Sequence, residues 1–145
     1  MSLEPTQYFI ACAVIFNKEG KVLLTKRHNP KNTEVHNKWQ IPGGGVEHSE
    51  HPKDSALREV SEETGITISL LVDHPQVYSH TFHNGAHIVM FIYIADYTSG
   101  EVDISADTDE TSDFGWFSLE EVLQLDSLPE TTRIIQDAFS LKYRT

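Results

Sequence analysis

The longest apolar run in the chain, Tyr8 to Phe16, has nine residues. A helix that spans a membrane needs roughly 18 or more, so this run is too short to cross a bilayer as a helix. Without a polar interruption it reads as a strand buried in a core. Asn17-Lys18-Glu19-Gly20 reads as a turn, and Lys21 to Arg27 as the hairpin partner, with Val22 and Leu24 alternating against Leu23 and Thr25. A chain of 145 residues buries roughly 68% of its unfolded surface on folding. One self-supporting core is expected, a single domain over residues 1–145. Hydrophobic residues at 39%, with 8 glycines besides, argue against disorder.

Further along, His28 to Lys38 is polar and punctuated by Asn29-Pro30, and reads as a long exposed loop open to closing over a cleft. Trp39-Gln40-Ile41 is a short strand that runs into Pro42-Gly43-Gly44-Gly45, where the glycines permit turns and close approach. A helix follows. Pro52 suits its first turn, Ala56, Leu57 and Val60 form its apolar face, and Gly65 stands where helices stop. Strands are expected at Ile66 to Val72, Val77 to His83, His87 to Ala95 and Phe114 to Phe117, with Asn84-Gly85 as a hairpin signal. Ser118 and Glu121 have the spacing of a capping box, and Arg133 to Tyr143 reads as a terminal helix. This order suggests an α+β or α/β sandwich of sheet and helices.

Charge is distributed unevenly. The net charge is −11, yet residues 1 to 58 carry +2, and from Glu59 to Thr132 there is no Lys or Arg against fifteen acids. Such a surface repels nucleic acid phosphates, so a nucleic acid partner is not expected. Within the first helix, Glu59 precedes Glu62 by three residues and Glu63 by four, which sets three carboxylates on one flank, with Arg58 as the only basic neighbour. Oxygen-rich clusters of this kind suit Mg²⁺ or Mn²⁺.

Taken as a set, Gly44, Glu50, Arg58-Glu59-Val60, Glu62-Glu63 and Gly65-Ile66 have the spacing of a complete Nudix box, a 23-residue signature. The chain resembles the Nudix hydrolase family, its MutT-like members included, closely over residues 39–66 and elsewhere in element order and Trp116-Phe117. One departure is Ser49, where many relatives carry glycine before the first box glutamate. The resemblance implies an α/β/α sandwich of the α+β class, a mixed sheet with the catalytic helix after a Gly-rich loop. It implies Mg²⁺-dependent hydrolysis of a nucleoside diphosphate linked to another moiety. By position, Glu59 and Glu63 would be the principal metal ligands, joined by Glu62 and the Gly43 carbonyl, with Glu59 or Glu62 as general base. Glu50 and Arg58 would brace the box with Gly44 and Gly65. A later acidic residue often joins the metals, and in the run Asp107 to Asp113 the candidate is Glu110, with Asp113 as the alternative.

The resemblance leaves substrate choice open. A proline about fifteen residues past the box marks many ADP-ribose hydrolases, and a tyrosine near there marks dinucleoside polyphosphate hydrolases. Here the stretch reads His80-Thr81-Phe82. A (d)NTP or a modified nucleotide is the expected small-molecule substrate. The alternatives are a nucleotide sugar or another nucleoside diphosphate derivative, or a module that binds nucleotide without turnover. Lys26 and Arg27 alternate across their strand, so at most one faces the cleft, and Arg27 is the candidate phosphate contact. Cys12 reads as core packing, and Trp39 and Trp116 as strand anchors. His80, His83 and His87 gather around a hairpin, where His83 or Tyr78 could touch substrate. The start of the chain lacks the basic and apolar segments of a secretory signal, and one cysteine leaves no internal disulfide. A cytoplasmic location without membrane contact is therefore expected.

Overall fold

The computed structural model of the chain describes residues 6–107 and 109–144. Its centre is β1 (Gln7–Phe16), whose residues from Ala11 to Phe16 are buried. A strand buried on both faces suits a parallel partner. That partner is β7 (His87–Ser99), paired in parallel from Gln7↔His87 to Phe16↔Asp96. The hairpin expected from the Asn17–Gly20 turn exists only at its base, where Phe16 pairs with Val22 of β2 (Val22–Arg27). Beyond that point β2 leaves β1 and pairs antiparallel with β8 (Thr111–Phe117) and β3 (Trp39–Gln40). The turn residues encode the reversal, whereas the buried side chains decide which strands lie side by side.

The glycine run is also a strand. In β4 (Gly43–Gly45), Gly43 faces Cys12, Gly44 faces Ala11 and Gly45 faces Ile10 across an antiparallel ladder. A Cβ on Gly43 would lie 2.3 Å from the Ala11 carbonyl oxygen, so only glycine permits this approach. On the other side of β7, β5 (Thr67–Leu70) and β6 (Gln76–Thr81) complete one mixed eight-stranded sheet.

Alternation along β1 assigns the two faces. Ala13 and Ile15, with Leu23, Val60, Ile66 and Ala95, pack under α1 (Pro52–Thr64), and Ala11 meets Ala56 and Tyr93 beside them. Cys12, Val14 and Phe16 face the opposite way, toward Val122 of α2 (Leu119–Val122) and Ile134, Ile135 and Ala138 of α3 (Thr131–Lys142). The result is the α+β sandwich, a mixed sheet between helical layers. Helix α1 begins at His51, whose ring accepts a hydrogen bond from the Lys53 amide, and ends at Gly65 with φ +74°, the left-handed cap that glycine adopts freely. The Ser118–Glu121 capping box forms, but it starts a helix of a single turn.

The segment 28–38 differs from the exposed loop read in the sequence. It is a chain of turns, with the amides of Asn32, Val35 and His36 donating to the carbonyls of Asn29 and Asn32, and Val35 is buried. Among the described residues no helix is long and apolar enough to cross a membrane.

Candidate active site

The approach of β4 to β1 and the seating of α1 on small residues open a cavity of about 570 Å³ at the C-terminal half of α1. Its walls include Gly43, Gly44, Glu59, Glu62, Glu63, Arg27 and Glu110. The structure thus gathers residues from β2, β4, α1 and the turn before β8 that lie up to 83 positions apart. Gly65 caps the helix outside the cavity, and Asp113 sits in β8 with its carboxylate accepting from the Phe114 amide. The side chain of Asp107 lies outside the described residues.

Arg58 organises the acids. Its Nε and Nη2 donate to the two oxygens of Glu50 at 2.8 and 3.0 Å, a bidentate clamp. Nη2 also donates to the Gly45 carbonyl, and Nη1 to Glu59 at 3.0 Å and Glu62 at 3.1 Å. One guanidinium therefore ties the 45–50 loop to the helix. Hydrogen bonding to Arg58 holds the Glu50 carboxyl down at about 2. Glu59 is shifted the other way, because burial disfavours its charged form and the nearby Glu62 and Glu110 add repulsion that Arg58 only partly offsets.

Glu63 is held separately. It is buried, and its carboxylate accepts from the Gly43 amide at 3.1 Å and from the Thr25 hydroxyl at 3.5 Å. The space around Glu59 depends on Gly44, since a Cβ there would lie 2.6 Å from the Glu59 carboxylate. Ser49 has φ +65°, a left-handed conformation, which explains why glycine suits that position and shows that serine adopts it here.

On β2, Leu23, Thr25 and Arg27 share the α1 face, so Arg27 reaches the cavity while the Lys26 ammonium lies 5.6 Å above the Trp39 ring. A register shift in the β2–β8 ladder falls between Lys26 and Arg27, at the rim of the cavity. Arg27 Nε is buried there without a hydrogen-bond partner.

Several lining residues escaped the sequence reading: Ile10, Cys12, Gln40, Ile41 and Ala106. The β1–β4 pairing is what carries Ile10 and Cys12 to the cavity, and it is a tertiary feature with no local signal. Burial, with Glu63 and Glu59 nearby, pushes the Cys12 thiol up, so it stays protonated. The histidines do not assemble. His80 packs on Phe82, His87 pairs with Gln7, and the His83 amide donates to Glu34. The Tyr78 hydroxyl donates to Asp137 at 2.7 Å on the α3 face. Trp39 and Trp116 pack edge-on against Phe117 and Tyr97.

A sheet sandwiched by helices, with a glycine strand feeding a glutamate-lined helix, defines the class of protein. The chain belongs to the NUDIX domain family, whose model matches residues 8–138. It is 46% identical over 56 residues to an RNA pyrophosphohydrolase of Bartonella quintana, a stretch that covers 37% of this chain and only 32% of that relative. With the RNA pyrophosphohydrolase of Bartonella bacilliformis it shares 33% identity over 132 residues, covering 80% of this chain and 76% of the relative. The crystal structure of a MutT protein from Methanosarcina mazei Go1 superposes with a TM-score of 0.78 at 28% identity, over 99% of this chain and all of that one.

Proposed function

We propose that the chain is a divalent-metal-dependent pyrophosphohydrolase acting on a nucleoside triphosphate or a modified nucleotide. The observation that carries this reading is that Glu59, Glu62, Glu63 and Glu110 line one cavity together with Arg27. The donor set is all oxygen, which suits Mg²⁺ or Mn²⁺. Among the described residues no three such side chains yet converge closely enough to hold an ion. Arg58 engages Glu59 and Glu62, and Gly43 engages Glu63, so the carboxylates must turn inward to share one. Glu59, Glu62, Glu63 and Glu110 would hold the metal, with the Gly43 carbonyl. When bound, such an ion neutralises charge on phosphoryl oxygens and acidifies a bound water.

The chain's own residues supply the remainder. Glu59 or Glu62 would take a proton from the attacking water. Arg27 offers a planar fork to a phosphate. The Glu50–Arg58 clamp keeps loop and helix in register. The acidic cavity shares Ile10, Cys12, Gln40 and Ile41 with a narrow apolar cleft of about 60 Å³, lined also by Phe82, Ile88 and Met90. We assign the nucleobase to this cleft, which must widen to admit it. The lone, buried Cys12 accords with a cytoplasmic setting.

The names of the Bartonella relatives favour a second substrate, an RNA whose 5′-triphosphate presents the same bond. The absence of Lys and Arg from Glu59 to Thr132 weighs against a long nucleic acid track. A turnover screen with and without Mg²⁺ tests both. (d)NTPs, nucleotide sugars, ADP-ribose, dinucleoside polyphosphates and a triphosphorylated RNA oligomer form the panel. Metal-dependent release of pyrophosphate from a nucleoside triphosphate is expected. Absence of turnover on every member, with nucleotide still bound, would indicate a binding module instead.

A further inference from the structure

The groove does not end at the acidic cavity. Arg27 and Glu110 also line a second cavity of about 480 Å³, whose other walls are His28, Asn29, Pro30, Lys31 and Asp109. Two shared residues make the cavities immediate neighbours. Their walls differ in charge. The first sets four glutamates against Arg27, whereas the second sets Arg27 and Lys31 against Asp109 and Glu110.

Both cations have unused donors. Arg27 Nε is buried without a hydrogen-bond partner, and exposed Lys31 has no ion-pair partner among the described residues. Other cations flanking the loop and helix are engaged, Lys38 with Asp126 at 2.7 Å and Lys53 with Asp73 at 3.2 Å. The backbone beneath Lys31 is tied down as well. The Arg27 amide donates to the Lys38 carbonyl at 2.8 Å, the Asn37 amide to the Arg27 carbonyl at 2.9 Å, and the His28 amide to the Glu110 carbonyl at 2.7 Å. The Asn29 amide donates to His36 Nδ1 at 2.9 Å. Lys31 therefore stands on a fixed turn one cavity beyond Arg27.

With two acids balancing two cations, the second cavity is a poor trap for a free anion. A phosphate chain already anchored in the first cavity and at Arg27 is different, because its last group is delivered to Lys31 at high effective concentration. We propose that the second cavity is the terminal-phosphate subsite and that Lys31 makes the groove select a nucleoside triphosphate over the matching diphosphate. This rests on the nucleotide reading above, since the apolar cleft, the acidic cavity and this one must be occupied in that order.

Binding measured without turnover separates the two claims. Titrate the protein with α,β-methylene-GTP and α,β-methylene-GDP, and with the adenosine pair, in the presence of Mg²⁺ by calorimetry. The wild type is expected to prefer the triphosphate analogue by about tenfold or more, the scale of one charge-assisted contact. In Lys31→Ala that ratio falls to near one, and in Lys31→Arg it is largely kept. A wild type without preference, or a Lys31→Ala protein that retains it, overturns the subsite. Failure to hydrolyse any nucleotide, with the analogue preference intact, would count against the proposed reaction and not against the subsite.

Discussion

On the α3 face β1 presents Cys12, Val14 and Phe16 to a broad layer that includes Val122, Ile134, Ile135 and Ala138. On the α1 face the same strand presents Ala11, Ala13 and Ile15 to a helix whose buried apolar residues are Ala56 and Val60 alone. Each large aliphatic side chain taken fully from water contributes roughly 1.5 to 3 kcal/mol, so the α3 face carries most of the stabilising burial. The small residues opposite bring α1 close enough for Glu63 to reach Gly43 and Thr25. One face secures the sheet, and the other tolerates crowded acids because of it. Arg58 repeats the contrast on a smaller scale: it holds Glu50 firmly ionised, while burial works against ionisation of neighbouring Glu59.

Cutting into the α3 face should have the largest effect. Ile135 is fully buried there, and Ile135→Ala should lose about 2 to 5 kcal/mol in urea denaturation. Turnover by the remaining folded protein should stay near wild type, and a marked kinetic defect would mean that the faces are not separable. Arg27→Ala attacks the other side, where KM should rise about tenfold for one lost charge-assisted bond. Lys26→Ala, which removes a cation from Trp39, should change KM little. A larger defect in Lys26→Ala would contradict the placement of Arg27 in the phosphate path.

The acid clamp gives a smaller, pH-dependent signature. Glu50 is depressed from 4.5 to about 2 in the folded chain, so its contribution is complete above 4.5 and is lost as pH falls toward 2. The stability gap between wild type and Glu50→Gln should accordingly close across that window. A gap that stays constant from pH 5 to 2 would show that Arg58 does not hold the carboxylate. The smallest effect concerns Ser49, whose left-handed backbone glycine would adopt without strain. Ser49→Gly should raise the melting free energy by at most about 1 kcal/mol and leave kinetics alone. A loss of stability would mean that the serine side chain matters more than its φ.

Local signals made part of this legible from sequence. Pro52 and Gly65 bound α1, the i, i+3 and i+4 spacing sets Glu59, Glu62 and Glu63 on one flank, and strand alternation sends Lys26 and Arg27 opposite ways. Pairings between distant strands were not legible. Neither β1 with β7 nor β2 with β8 has a turn to announce it, so the hairpin signal at Asn17–Gly20 overstated the contact of β1 with β2. The glycine run illustrates the same limit, since missing side chains permit a turn and a tightly packed strand alike, and only the approach of Ala11 and Cys12 decides. For that reason Cys12 and Gln40 went unrecognised as lining residues. The polar segment 28–38 hid its folded character because Val35 is its only buried apolar residue.

The central claim is that the glutamates of α1 hold the metal on which pyrophosphate cleavage depends. Its most direct test is a Mn²⁺ titration of the wild type and Glu63→Gln, following free Mn²⁺ by electron paramagnetic resonance, beside turnover of a nucleoside triphosphate under the same conditions. Glutamine keeps the shape of the Glu63 side chain and removes its charge. The expected result is Mn²⁺ binding by the wild type that weakens about tenfold or more in Glu63→Gln, with turnover lower by roughly 10². Equal Mn²⁺ affinity and undiminished turnover in the variant would contradict the account.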